Sequence, residues 1–466
     1  MLPVIALVGR PNVGKSSLFN CLTKTRDALV SDFPGLTRDR QYGRGQVGDR
    51  PFMVVDTGGL SGVAEGIDAL MANQVQSAIG DSDLLVFVLD GREGISASDI
   101  DIANKLRQIR KPILLVVNKT DGLNDDDAMA DFYSLGFPDL IPISATHNQN
   151  IGAIVDRAFA VLPAATDEGE SPRDDPDRIR VAVIGRPNVG KSTLINRMLG
   201  EERLVTYDQP GTTRDSIFIP FERDGQKYTL IDTAGVRRRG KVTDTIEKFS
   251  VIKALKAIEE CHLVVLVLNA HEEIAEQDKT ILSYVLRSGK GLVIAINKWD
   301  DLPHDDREEI RRQLDLKLNY IDFADRHFIS ALHGTGVGLL FKSILEAYGS
   351  AMRELTTSQL TEMLEAALEA HQPPLVHGRR IKLRFAHPGG KNPPLIVIHG
   401  NQTDQVPEAY QRYLSNYYRH QLKLRGTQVR IIFKTGDNPF KDRKNPLNEH
   451  QIQQRRRLMK FVKRKK

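Results

Sequence analysis

The octapeptide Gly9-Arg10-Pro11-Asn12-Val13-Gly14-Lys15-Ser16 recurs unchanged as Gly185-Arg186-Pro187-Asn188-Val189-Gly190-Lys191-Ser192. No other feature constrains the fold as much. The first copy follows the apolar run Val4-Ile5-Ala6-Leu7-Val8, a buried-strand pattern, and precedes Ser17-Leu18-Phe19-Asn20, which reads as a helix start. Strand, glycine-bounded loop, Lys-Ser and helix together make a phosphate-cradling P-loop. The glycines let backbone N–H groups approach phosphate, and the helix N-terminus adds positive potential. Lys15 and Lys191 are placed to reach the β- and γ-phosphates, and the Ser16 and Ser192 hydroxyls to ligate Mg²⁺.

The repeat is the size of a domain. Gly9 and Gly185, Thr37 and Thr213, and Asp56 and Asp232 are each separated by 176 residues. The spacing then drifts to 179 between Asn118 and Asn297, and to 186 between Ser144 and Ser330, as loop insertions would make it. Within residues 1–162, the apolar runs Val4–Val8, Phe52–Val55, Leu84–Leu89, Ile113–Val117 and Leu140–Ile143 alternate with helical patterns near 64–80, 97–109, 125–136 and 151–162. This alternation predicts an α/β fold, a mostly parallel sheet with helices on both faces. Residues 163–178 are acidic, proline-bearing and nearly free of bulky apolar side chains, so they read as a linker. The second α/β unit is expected over 179–352.

After residue 352 the pattern changes. Thr357–His371 and Val406–Leu422 read as helices, and Arg380–Ala386, Leu395–Ile398 and Gln428–Phe433 as strands. A small α+β domain is expected over 353–440, followed by a basic tail at 441–466. The formal charge of +5 conceals an asymmetry: residues 1–350 carry −9 and residues 351–466 carry +14. The C-terminal part is where a polyanion would be held. No apolar run approaches the roughly 20 residues of a bilayer span. Met1–Val8 reads as the first strand, not as a leader. Cys21 and Cys261 match no ligand spacing and read as free thiols. A cytoplasmic chain without membrane contact is expected.

The remaining motifs decide which nucleotide the loops hold. Asp56-Thr57-Gly58-Gly59 and Asp232-Thr233-Ala234-Gly235 follow apolar strands. Their aspartates suit the Mg²⁺ shell, and the amides of Gly59 and Gly235 suit a γ-phosphate. Thr37 lies in Pro34–Asp39 and Thr213 in Pro210–Asp215. A hydroxyl there joins Mg²⁺ only while γ-phosphate is bound, which makes both segments candidate switches. Asn118-Lys119-Thr120-Asp121 and Asn297-Lys298-Trp299-Asp300 end apolar strands. A carboxylate there accepts from guanine N1–H and the 2-amino group and repels the N1 lone pair of adenine. Ser144-Ala145 and Ser330-Ala331 offer backbone amides to the guanine oxygen. One Asn-Lys-x-Asp string alone is often only a surface loop. Five motifs in order, twice over, are not. The catalytic set expected from these motifs is Lys15, Thr37 and Gly59 with Lys191, Thr213 and Gly235. Leu60 and Val236 stand where some GTPases carry a water-orienting glutamine, so slow intrinsic turnover is expected.

With these motifs in place, the chain resembles the Der (EngA) family of bacterial GTPases over nearly its whole length. The stretch Val406-Pro407-Glu408-Ala409-Tyr410-Gln411-Arg412-Tyr413-Leu414 is similar to that family's C-terminal helix. The resemblance implies two GTP/GDP sites, Mg²⁺, a KH-like C-terminal domain and a monomer acting in assembly of the large ribosomal subunit through its rRNA. It also implies K⁺, held partly by Asn12 and Asn188. A role for each asparagine in capping its loop stays open beside this. KH domains grip RNA with a GXXG loop, and His387-Pro388-Gly389-Gly390-Lys391-Asn392 lacks the second glycine. RNA contact by another face, or packing on the first GTPase domain, is therefore open. Arg455-Arg456-Arg457, Lys463-Arg464-Lys465-Lys466 and Arg237-Arg238-Arg239 are candidate phosphate contacts. Two other readings fit the same residues: a GTPase regulating a protein partner with the tail as docking surface, and an RNA-binding scaffold whose GTP sites are structural.

Overall fold

The structure, a computed structural model, describes residues 2–24, 42–60, 73–123, 129–162, 175, 177–200, 217–232, 251–375 and 380–435. The expected switch segments with Thr37 and Thr213, the motif residues Thr233, Ala234, Gly235 and Val236, the arginines at 237–239 and the tail lie outside the described residues. So does most of the linker.

The first unit runs β1 (Val4–Val8), α1 (Lys15–Thr23), β2 (Tyr42–Gly45), β3 (Phe52–Asp56), a helical turn Thr57–Leu60, α2 (Asn73–Asp81), β4 (Leu84–Asp90), α3 (Ala97–Arg107), β5 (Ile113–Asn118), β6 (Leu140–Pro142) and α4 (Ile151–Val161). Its sheet has the order β2-β3-β1-β4-β5-β6, and within it β2 pairs antiparallel with β3 while the other pairs are parallel. Every residue of β1 and β4 is buried, as strands covered on both faces require. Helix α4 buries Ile151, Ile154, Val155 and Ala158, one stripe at helical spacing.

The second unit repeats this plan. It runs β7 (Ile179–Ile184), α5 (Lys191–Leu199), β8 (Ile217–Arg223), β9 (Gln226–Asp232), α6 (Val251–Glu260), β10 (Leu263–Asn269), α7 (Glu276–Ser288), β11 (Gly291–Asn297), α8 (His304–Lys317), β12 (Asp325–Phe328) and α9 (Val337–Ala351), with sheet order β12-β11-β10-β7-β9-β8. The two units meet along their flanks. Lys256 Nζ lies 3.1 Å from Asp83 Oδ2, Arg44 Nη1 lies 3.3 Å from Glu259 Oε2, and Tyr284 donates its hydroxyl to Met53 Sδ at 2.9 Å.

The third unit comprises α10 (Thr357–Ala370), β13 (Lys382–Gly390), β14 (Leu395–Asn401), α11 (Glu408–Gln421) and β15 (Arg430–Thr435). Its sheet is ordered β13-β14-β15, antiparallel then parallel. Tyr418 and Leu414 of α11 and Leu360 and Leu364 of α10 pack on Ile396 and Ile398 in one core. This unit is fastened to the second. Leu292 N donates to Gly426 O at 2.7 Å, Gly426 N donates to Phe323 O at 2.7 Å, and Arg419 Nη2 reaches Asp322 Oδ2 at 2.7 Å.

Three expectations need correction. The helix predicted near 125–136 gives way, over its described C-terminal part, to a 3-10 turn, Asp131–Leu135, stopped by Gly136 at φ 69°. The edge strands β2 and β8 were not anticipated, and they flank the sheets antiparallel. The loop expected at His387–Asn392 is mostly strand: β13 continues to Gly390, with His387 opposite Val397 and Gly390 opposite Leu395. Pro388 is tolerated because β13 is an edge strand. The hairpin turns at Lys391–Pro394, so no KH-type loop projects there.

Candidate functional site

Parallel order brings the loops after β1, β3, β5 and β6 to one edge of the first sheet, the edge where open α/β sheets bind ligands. Gly9 closes β1 against β4: a Cβ there would lie 2.4 Å from Val88 O. Asn12 has φ 66°, a left-handed conformation that asparagine tolerates better than most residues. Gly14, at φ 95°, starts α1 without a side-chain cap, so the first-turn amides point to the loop. Lys15 is buried, and its ammonium donates to Gly9 O at 2.8 Å and Arg10 O at 2.6 Å. Burial pulls its pKa down to about 8, against the opposing pull of Asp56. The Ser16 hydroxyl donates to Asp56 Oδ2 at 2.6 Å, while Gly58 N holds Oδ1 at 2.9 Å. Thr57 turns inward and donates to Leu7 O at 2.6 Å.

Asn118 ties the two halves of the site together. Its Nδ2 donates to Val13 O at 2.8 Å, and its Oδ1 accepts from Ala145 N at 3.0 Å. The P-loop and the Ser144-Ala145 loop are thereby fixed to the end of β5. Lys119, at φ 67°, extends to Asp90 Oδ2 at 2.5 Å, and Thr120 N donates to Ile143 O at 3.1 Å. Asp121 accepts from Ser144 Oγ at 3.0 Å and from Arg92 Nη2 at 2.5 Å. The Ser144 hydroxyl, helped by Arg92 and His147, holds its carboxyl below the usual range.

The second unit copies these contacts. A Cβ on Gly185 would meet Val267 O at 2.4 Å, Asn188 has φ 62°, and Gly190 starts α5 at φ 96°. Lys191 is buried and donates to Arg186 O at 2.7 Å. Ser192 follows it in the first turn of α5, and Asp232 ends β9. Asn297 donates to Val189 O at 2.8 Å and accepts from Ala331 N at 2.8 Å. Lys298 has φ 65°, and Trp299 N donates to Ile329 O at 3.1 Å. Asp300 is held below the usual carboxyl range by the Ser330 hydroxyl, and His333 Nε2 stands 3.3 Å from its Oδ2.

Several contributing residues escaped the motifs. Arg10 and Arg186 are each gripped by two acids, Asp99 with Glu93 and Asp278 with Glu272. Arg92 and His333 flank the carboxylates expected to read the base. The repeat itself carried the signal, because Glu93 and Glu272, like Asp99 and Asp278, keep the 179-residue spacing.

Two open parallel sheets, each with a P-loop and an Asn-Lys-x-Asp loop sharing one edge, define a GTPase with two G domains. A family model described as "50S ribosome-binding GTPase" matches residues 4–119 and 180–298, and one described as "KH-domain-like of EngA bacterial GTPase enzymes, C-terminal" matches 354–434. The chain is 60% identical over 465 residues to "GTPase Der" of Thioalkalivibrio sulfidiphilus and 52% identical over 496 to "GTPase Der" of Proteus mirabilis, with all of each chain covered. The chain belongs to the GTPase Der family. It binds guanine nucleotide and hydrolyses GTP. Among the described residues, no helix is long and apolar enough to cross a membrane.

Proposed function

We propose that this chain uses its two GTP sites to gate binding to the large ribosomal subunit during assembly, acting in the cytoplasm as a monomer. Support comes from one pairing: two phosphate cradles joined to a cationic C-terminal quarter. The family model's description as ribosome-binding points the same way.

The site residues suit a guanosine triphosphate. In this reading the amides of Gly9–Gly14 and the α1 N-terminus receive the phosphates, and Lys15 exchanges its two carbonyls for phosphate oxygens. Ser16 and Asp56, two hard oxygens 2.6 Å apart, fit Mg²⁺. In the second unit Lys191, Ser192 and Asp232 take these parts. Mg²⁺, when bound, neutralises charge developing on the phosphates. Asp121 and Asp300 select guanine, with Ala145 and Ala331 near its carbonyl oxygen. Thr37 and Thr213 would join Mg²⁺ only while γ-phosphate is bound, and the amides of Gly59 and Gly235 would meet that phosphate. Leu60 and Val236 carry no carboxamide to orient water, so turnover is slow; Asn12 and Asn188 would hold K⁺, which would supply the missing charge.

Co-sedimentation with ribosomal particles in GDP and in a non-hydrolysable GTP analogue tests this reading. Binding to the large subunit that depends on the nucleotide is expected. Equal binding in both states would overturn the gating, and no binding would overturn the ribosomal role.

A further inference from the structure

The nucleotide sites leave the outward face of the C-terminal sheet unused. Leu383, Ala386, Ile396 and Ile398 are buried with α10 and α11. The alternation of the strands leaves Phe385, His387, His399, Ile432 and Lys434 on the other side. Register sets them side by side: Phe385 opposite His399, His387 opposite Val397, Ile432 beside Val397 and Lys434 beside His399.

The Phe385 and His399 rings are stacked, with centroids 4.6 Å apart and planes within 6°. His387 Nε2 lies 3.1 Å from His399 Nε2 and fixes that ring. Phe385 is 42% exposed and Ile432 43%. The three strands contain no Asp or Glu, whereas Lys382, Arg384, Arg430 and Lys434 are cationic. The second unit meets this one at the opposite end of the sheet, near the hairpin: Asn392 N donates to Ala351 O, and a Cβ on Gly289 would lie 2.6 Å from Pro393 Cγ.

We propose that this face is a stacking platform for single-stranded RNA, with Phe385 and His399 receiving a base and Lys382, Arg384 and Lys434 meeting the flanking phosphates. A stacked aromatic pair at the exposed end of a sheet whose three strands carry cations and no acid matches the needs of an unpaired nucleotide. The chain's own basic tail has the same sign as the face and is repelled by it. The proposal rests on the ribosomal reading and gives it a contact that no KH-type loop supplies.

The test uses the full chain and a short single-stranded RNA bearing one 2-aminopurine, titrated at raised salt. Salt weakens the tail's phosphate contacts steeply and stacking far less. Phe385→Ala is expected to weaken binding about ten-fold and to abolish the 2-aminopurine quench. Phe385→Trp should bind within about two-fold of the parent, and a blunt RNA duplex should not respond to either change. Because Phe385 is half exposed, an unchanged melting temperature verifies the fold. If Phe385→Ala binds like the parent, the platform is overturned while ribosome binding stands. If the parent binds neither this RNA nor ribosomal particles, both fall.

Discussion

Asp278 receives Arg186 Nε at 2.8 Å, and Arg186 in turn accepts the Lys191 ammonium on its carbonyl at 2.7 Å. The first unit repeats the chain from Asp99 through Arg10 to Lys15, at 3.2 and 2.6 Å. Each aspartate also closes the N-terminus of its helix, Asp278 from Ala275 N and Asp99 from Ser96 N and Oγ. One buried carboxylate therefore sets both the helix start and the residue on which the phosphate lysine rests.

Asp278→Asn leaves a guanidinium half-answered in a buried place and weakens the helix start. It is expected to destabilise the second unit by about 2 kcal/mol. It should also weaken nucleotide binding at that site while the first site is unchanged. Calorimetric titration in a Lys15→Ala background reads the second site alone.

Lys15 yields a pH dependence. Phosphate requires its charged form, which is half populated near pH 8, dominates well below it and is lost as pH rises above it. Nucleotide bound there raises the pKa, so binding takes up protons near pH 8. Affinity at the first site should be flat below that pH and fall above it. Titrations in buffers of differing ionisation enthalpy measure the uptake, and a flat profile to pH 9 would refute it.

Asp121→Asn and Asp300→Asn each replace an acceptor by an amide that can donate. Guanine should lose about 100-fold at the altered site, and xanthine, with a carbonyl at C2, should gain. Competition binding with the two triphosphates separates the outcomes. Lys15→Ala and Lys191→Ala should each remove one triphosphate per chain.

Gly14→Ala places a Cβ 2.2 Å from Asn118 Nδ2 at a backbone φ of 95°. Strain and clash together should cost about 3 kcal/mol. The displaced Asn118 would release both Val13 and Ala145, so GDP and GTP should weaken together. Gly190→Ala should do the same through Asn297, again at 2.2 Å.

Replacing NaCl by KCl should raise turnover at least several-fold in the parent chain and less in Asn12→Ala or Asn188→Ala. Equal rates in the two salts would remove K⁺ from the mechanism.

The sheets were legible because fully buried parallel strands read as unbroken apolar runs, such as Val4–Val8 and Leu84–Leu89. The edge strands were not. Tyr42–Gly45 is short, carries two glycines and is held by pairing with β3 more than by its own propensity. The 3-10 turn at Asp131–Leu135 escaped because apolar spacing alone does not separate one tight turn from a helix. Site residues at fixed spacing within a loop stood out. Arg92, Asp99 and His333 did not, since a side chain acting across the sheet leaves no local pattern.

Gly426 is gripped on both sides of its peptide, by Phe323 O and Leu292 N, and a Cβ there would come within 2.3 Å of the Ala347 Cβ. Dissecting the protein therefore begins on unequal footing. Cutting away everything beyond residue 353 strips the buried Leu292 amide of its acceptor and bares a seam beside Ala347, so the back half is one indivisible body. Among the described residues, the front half surrenders side-chain contacts along its flank, such as Lys256 with Asp83 and Arg44 with Glu259, and it is the piece better suited to being prepared alone.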